Sequence, residues 1–209
     1  MTDSEVTRLQ STPEVLDSQD SELKDYDTSN LAASIDWRAK GAVTPVKDGR
    51  NSPYGWAWVT TGVTETIGYQ RSGKLVALSE QQLISCGWGA CPLIMNPGKA
   101  MDYLKVVPHT TAAAYPFTGP RGECDMKKER EGLVKLNSWS KLIPYRADKL
   151  KAALNKGVTI VHVVGDSPLV KNYKSGVVDS VECGMLINQS MNAVGYGTEN
   201  GKEYYILKS

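Results

Sequence analysis

One segment limits the fold more than any other: Pro53 to Ser72, where Trp56, Val59, Val63 and Ile67 recur at helical spacing. That spacing predicts a long helix with one buried face, which must pack against another layer. Ser52 is read as its N-cap, with Pro53 at the first helical position, where a missing N–H costs nothing. Gly62 and Gly68 weaken the helix locally, and Ser72-Gly73 ends it. A second helix is predicted from Ser79, with Gln82 as capping-box partner and Leu83 and Ile84 on its apolar side. A third starts at Asn96-Pro97 and carries Ala100, Met101, Tyr103 and Leu104. A fourth, short one covers about 147–155, with Leu150, Ala153 and Leu154 inward.

Beyond it the periodicity changes. Val158–Val164 is almost wholly β-branched and predicts a strand. Met191–Gly197 and Tyr204–Leu207 are two more, joined by a turn at Glu199-Asn200-Gly201. Three zones follow: an acidic extended tail (1–30), a helical zone (31–142) and a strand-rich zone (143–209). At 209 residues the chain can bury a substantial core, as one domain or two small lobes.

The net charge of +1 gives no global argument for binding nucleic acid, and no apolar run approaches the roughly 18 residues that span a bilayer. The charge is uneven, however. Residues 1–30 hold eight acids, Asp3, Glu5, Glu14, Asp17, Asp20, Glu22, Asp25 and Asp27, against Arg8 and Lys24. Such a tail can lie on the basic remainder of the chain or on a basic protein partner, or simply stay solvated. The polar start Met1-Thr2-Asp3-Ser4-Glu5 is no secretory signal as written, which favours an intracellular assembly.

Five ordered blocks carry a resemblance: Ile35–Trp58, Leu78–Cys86, Ala114-Tyr115-Pro116-Phe117, Tyr173–Val177 and Ile187–Gly197. Together they resemble the papain/cathepsin cysteine proteases over about residues 33–209. The resemblance implies an α+β, two-lobe fold, with a helical left lobe behind an N-terminal crossing strand and a β-barrel right lobe. It also implies further chain after the Tyr204–Leu207 strand. The right lobe is therefore expected to be incomplete at the C-terminus, with an uncovered edge that other proteins can occupy.

The resemblance further implies four catalytic positions. Papain-like chemistry uses a thiolate, a histidine, an asparagine that orients it and a glutamine in the oxyanion hole. By position, the cysteine falls on Gly55, the glutamine on Gly49, the histidine on Gln189 and the asparagine on Ser209. Glycine offers no side chain to attack a carbonyl, and an amide shuttles no protons near neutral pH. The family's glycine-rich cleft loop reads Gly89-Ala90-Cys91-Pro92-Leu93-Ile94, so Pro92, Leu93 and Ile94 are expected to spoil or fill the peptide cleft. The family's disulfides imply a Cys86–Cys124 bridge and leave Cys91 and Cys183 unpaired.

His109, beside Pro108, reads as a surface residue. His162 falls mid-strand on the Ile160/Val164 side and reads as hydrogen-bonded or cleft-lining. No metal site and no cofactor motif emerge, since the Cys86/Cys91 spacing has no second ligand pair. The leading expectation is a catalytically dead pseudopeptidase that serves as a structural or protein-binding subunit, docking through residues 1–30 and the uncovered edge. Two alternatives are an enzyme with a relocated nucleophile, Ser52 or Ser190, and a decoy or regulator of an active cysteine protease.

Overall fold

The computed structural model describes residues 22–49, 53–87, 96–180, 184 and 186–209. By contacts the chain divides into two compact units: Glu22–Trp37 with Ser140–Ser209, and Arg38–Trp139.

The second unit is helical. Its long helix α1 runs Gly55–Ser72, followed by α2 (Glu80–Cys86), α3 (Pro97–Val106) and the single turn α4 (Met126–Glu129). Trp56 and Ala57 of α1 pack on Leu83 and Ile84 of α2, on Ala100, Tyr103 and Leu104 of α3, and on Leu136. The first turn of α1 departs from the sequence expectation. Tyr54 is the N-cap and gives no side-chain cap, so Pro53 lies outside the helix. Ser52 falls outside the described residues. Ala57 N–H instead closes a tight turn on the Tyr54 carbonyl at 2.8 Å. At the other end Gly73, with φ 71°, donates back to the Tyr69 carbonyl, a left-handed stop that glycine adopts without strain.

In α2 the Ser79 hydroxyl accepts the Gln82 N–H at 3.0 Å, as the capping pattern predicts. The reciprocal half of the box is not made. The Gln82 side chain, fully buried, accepts Thr110 N–H at 2.7 Å and donates to the Pro108 carbonyl at 2.9 Å. Burial decides this: both backbone groups need a partner away from water. Asn96 caps α3 by accepting Lys99 N–H, with Pro97 at the first turn.

The first unit is built on a sheet. Its elements are β1 (Leu23–Lys24), β2 (Ile35–Asp36), β3 (Lys141–Leu142), α5 (Ala147–Leu154), β4 (Thr159–Val163), the turn α6 (Pro168–Lys171), β5 (Gln189–Glu199) and β6 (Lys202–Lys208). β5 is central. One edge pairs antiparallel with β4, where Val161 faces Met191, and then with β2, where Ile35 faces Tyr196. Its other edge pairs antiparallel with β6. The β5–β6 hairpin turns through Asn200 (φ 52°) and Gly201 (φ 78°), the two left-handed residues of a tight primed turn. A bulge between Ala193 and Gly195 shifts the register. Gly195 is required there, because a Cβ would stand 2.2 Å from the Ile35 carbonyl oxygen. Among the described residues this sheet is open; it does not close into the expected barrel, because β4, β2 and β6 each pair only with β5.

The described part of the acidic tail sits on its own unit. β1 pairs parallel with β3, and Lys141 N–H donates to the Glu22 carbonyl at 3.3 Å. Lys149, only 8% exposed, pairs with the Asp25 carboxylate and donates to the Tyr26 carbonyl at 2.8 Å. Residues 31–37 also belong to this unit, anchored by Tyr196 Oη donating to the Ala32 carbonyl at 2.6 Å and by Trp37 Nε1 donating to the Leu154 carbonyl at 2.9 Å.

Candidate functional site

The four positions under question divide two and two between the units, so each pair is described in its own unit. In the helical unit, Gly55 is the first residue of α1. A helix N-terminus presents unpaired N–H groups and a positive dipole end, the setting that lowers a thiol's pKa. Gly55 brings no group to use it. The position is exposed, and a Cβ built there meets no heavy atom within 4 Å.

Gly49 is crowded by contrast. A Cβ there would stand 3.3 Å from Trp58 Nε1 and 3.5 Å from the next ring carbon. The Trp58 indole packs edge-on to Phe117, with centroids 4.9 Å apart and planes at 66°. Its Nε1 is buried and has no hydrogen-bond partner among the described residues. Any side chain at 49 would require this ring to give by a few tenths of an ångström.

In the sheet unit, Gln189 opens β5 and Ser209 follows β6. Gln189 Nε2 donates to Ser209 Oγ at 3.0 Å. Below Gln189 lies Gly165, whose absent Cβ would come within 2.5 Å of Gln189 Cβ. Gly165 N–H donates to Asn188 Oδ1 at 2.9 Å, and Asn188 N–H to the Val163 carbonyl at 3.1 Å. Gln189 is therefore clamped between a glycine floor and a serine hydroxyl. Neither group titrates near neutrality, so the pair can donate and accept hydrogen bonds but carry no proton.

Beside it a different pair is formed. His162 on β4 and Ser190 on β5 are directly opposed in register, and Ser190 Oγ lies 2.9 Å from His162 Nδ1. Both are half-buried, on the face opposite the buried pair Val161 and Met191. Burial holds the His162 imidazole below its ordinary pKa.

His109 overturns its sequence reading. It is fully buried, not on the surface. Its Nε2 lies 2.8 Å from the Ser79 carbonyl and therefore carries the proton, while Nδ1 lies 2.9 Å from Thr64 Oγ1. Burial drops its pKa to about 4. It ties helix to loop and has no exposure with which to serve as a base.

Sequence reasoning also missed a buried charge cluster. Lys47 Nζ lies 2.7 Å from both Glu65 Oε1 and Glu80 Oε1, and Glu65 further accepts Thr44 Oγ1 at 2.6 Å and Leu78 N–H at 3.0 Å. Burial alone would lower the Lys47 pKa; the two carboxylates outweigh it and hold the ammonium above its usual range. Burial raises the Glu80 carboxyl more than Lys47 lowers it. The signal available was a glutamate on the inward side of each of two predicted amphipathic helices.

Cys86 and Cys124 are bonded to each other. With Glu129 they form the one metal-sized group of ligand atoms found among the described residues. The sulfurs are already joined and Glu129 accepts Tyr103 Oη at 2.6 Å, so the group does not fit a metal. Cys91, Pro92, Leu93, Ile94 and Cys183 lie outside the described residues. No described helix is long and apolar enough to cross a membrane.

Comparison with known proteins gives this arrangement its class. A family model described as papain family cysteine protease matches residues 31–209, and the chain belongs to that family. It is 37% identical over 192 residues to the oryzain gamma chain of Oryza sativa subsp. japonica, covering 88% of this chain and 52% of that protein. It is 34% identical over 187 residues to cysteine proteinase RD21A of Arabidopsis thaliana, covering 86% of this chain and 39% of that one. The chain thus spans about half or less of the length of these curated relatives. Among solved structures it is similar to the bromelain protease of Ananas comosus bound to the E64 inhibitor, with TM-score 0.80, 29% identity, and 86% and 83% of the two chains covered. A recombinant stem bromelain precursor matches with TM-score 0.84 at 27% identity, covering 100% of this chain and 68% of that one. The helical unit and the sheet unit are those of the two-lobe papain fold, the sheet being open among the described residues.

Proposed function

We propose that this chain has given up the family's thiol chemistry and works as a structural or protein-binding subunit. One observation carries the reading: the nucleophile position is Gly55, exposed at the start of α1 with no side chain to present. Three further positions support it. Gly49 offers no oxyanion donor, and Gln189 and Ser209 are bonded to each other in a pair that moves no proton. Loss of nucleophile or base alone removes many orders of magnitude of rate, and such losses do not add when all are gone. The binding role rests on the retained fold and on the acidic tail, of which Asp25 already engages a buried lysine of its own unit.

The test is thiol-dependent hydrolysis of peptide substrates by the purified chain, together with capture by an epoxide directed at cysteine proteases. Neither is expected above the level of a Gly55→Ala variant. Thiol-dependent peptide hydrolysis that requires a single residue of this chain would overturn the loss of thiol chemistry. For the binding role, residues 1–30 fused to a carrier should bind a partner that associates with the full chain. A partner that binds the chain equally well without them would remove the tail from the proposal.

A further inference from the structure

We propose that Ser190 is an activated nucleophile, with His162 as its base, reactive toward activated carboxylic esters and phosphonyl fluorides. This goes beyond the loss of thiol chemistry, because the pair uses none of the four inherited positions.

The argument starts from the sheet. His162 and Ser190 are opposed residues of β4 and β5, so their Cα positions are set by the ladder and not by a mobile loop. Val161 and Val163, buried on either side of His162 along the strand, hold the backbone that carries the ring. The Oγ···Nδ1 distance of 2.9 Å is the separation at which a hydroxyl proton passes to imidazole. Each of the two side chains has the other as its hydrogen-bond partner among the described residues. In the tautomer with the ring proton on Nε2, the Ser190 hydroxyl donates to Nδ1, and among the described residues no carbonyl competes for that proton. The site is half-buried, which leaves a face open to a small electrophile. Partial burial also keeps the imidazole neutral, the form that accepts a proton.

The chemistry balances within the pair. As Ser190 Oγ bonds to the carbonyl carbon of an ester, its proton passes to His162 Nδ1. The tetrahedral adduct expels the alkoxide, which takes that proton from the imidazolium. A water molecule, deprotonated by the same nitrogen, then releases the acid and restores the hydroxyl. With a phosphonyl fluoride the Oγ–P bond forms as the serine proton passes to His162 Nδ1 and on to solvent, the P–F bond breaks, fluoride leaves, and the adduct persists.

The full chain, folded, is treated with a fluorophosphonate probe, and the adduct is counted and mapped by mass spectrometry. One adduct per chain at Ser190 is expected, absent from urea-unfolded protein. His162→Gln, checked for folding by circular dichroism, should slow labelling at least tenfold, and Ser190→Ala should abolish it. A hydrogen bond that merely ties two strands gives no adduct. No labelling of the folded chain, labelling at another serine, or a rate unchanged in His162→Gln would each overturn the proposal. Thiol-dependent hydrolysis would instead sink the reading in the previous subsection and leave this pair untouched.

Discussion

The two units differ in how they fill the family's catalytic positions. At Gly55 a position in the helical unit is empty: exposed, at a helix start, with open space where a side chain would stand. At Gln189 a position in the sheet unit is refilled: the new side chain rests on Gly165 and bonds Ser209. A side chain removed into water leaves nothing to repair. One replaced on a packed strand must satisfy its amide and fill its space. The interiors differ as well. The helical unit holds the half-buried Lys47 between two buried glutamates and buries a neutral histidine, whereas the strands of the sheet unit close on Val161, Val163, Met191, Ala193 and Val194, and its buried lysine, Lys149, sits on helix α5.

The sharpest way to break this contrast is to remove one charge from each unit. Glu65→Ala strips Lys47, Thr44 and Leu78 N–H of a partner that is 2% exposed, and should cost about 3–5 kcal/mol in urea unfolding. Glu203→Ala breaks the more exposed Lys151–Glu203 pair of the sheet unit and should cost under about 1 kcal/mol. Equal losses would show that burial does not set the worth of these two ion pairs. Next, Cys86→Ser with Cys124→Ser opens a loop of sequence separation 38 and should lose about 3–4 kcal/mol by chain entropy. Amide exchange should rise in the helical unit first; a uniform rise would count against local bracing.

The pH response follows His109. Its pKa is about 4 in the fold and near 6.5 when unfolded, so the unfolded chain binds the extra proton between those values. Its contribution is complete above pH 6.5 and is lost as pH falls toward 4, for a total of about 3 kcal/mol. His162, also lowered, adds the same sign, while Glu80, raised, opposes it at the acid end. Thermal melts from pH 7 to 5 should therefore flatten in a folded His109→Gln variant, and an unchanged slope would refute the assignment.

Smaller effects test the refilled and empty positions directly. Gly165→Ala drives a methyl into Gln189 and should cost about 1–3 kcal/mol, relieved in part by Gln189→Ala. Gly55→Cys should change stability by less than about 0.5 kcal/mol, as exposed substitutions usually do, and should restore no peptide hydrolysis. A large penalty at Gly55, or none at Gly165, would invert the comparison.

Much of the fold was legible because its signals are local. Ser79 and Asn96 cap the helices their positions announce, and Asn200-Gly201 turns the hairpin. These depend on residues within a turn of one another. The burial of His109 was not legible, because its partners Thr64 and Ser79 lie 45 and 30 residues away and the adjacent Pro108 suggests a loop. The two-residue strand Leu23–Lys24 was hidden as well. It is too short for periodicity, and its ladder partner Lys141–Leu142 is brought to it by the fold. The start of α1 was misplaced because Pro53 fits a first helical position, yet the tight turn at Tyr54 begins the helix two residues later.

The sequence alone determined that Gly55, Gln189, Gly49 and Ser209 stand where the resemblance aligns the family's cysteine, histidine, oxyanion glutamine and orienting asparagine, since side-chain identity needs no coordinates. The tertiary structure decided what replaced them. It placed Trp58 against Gly49, closed Gln189 on Ser209 and set Ser190 against His162. Gln189–Ser209 and Ser190–His162 join residues 20 and 28 apart. Their distances follow from strand register, and a one-residue slip would turn every one of these side chains to the other face.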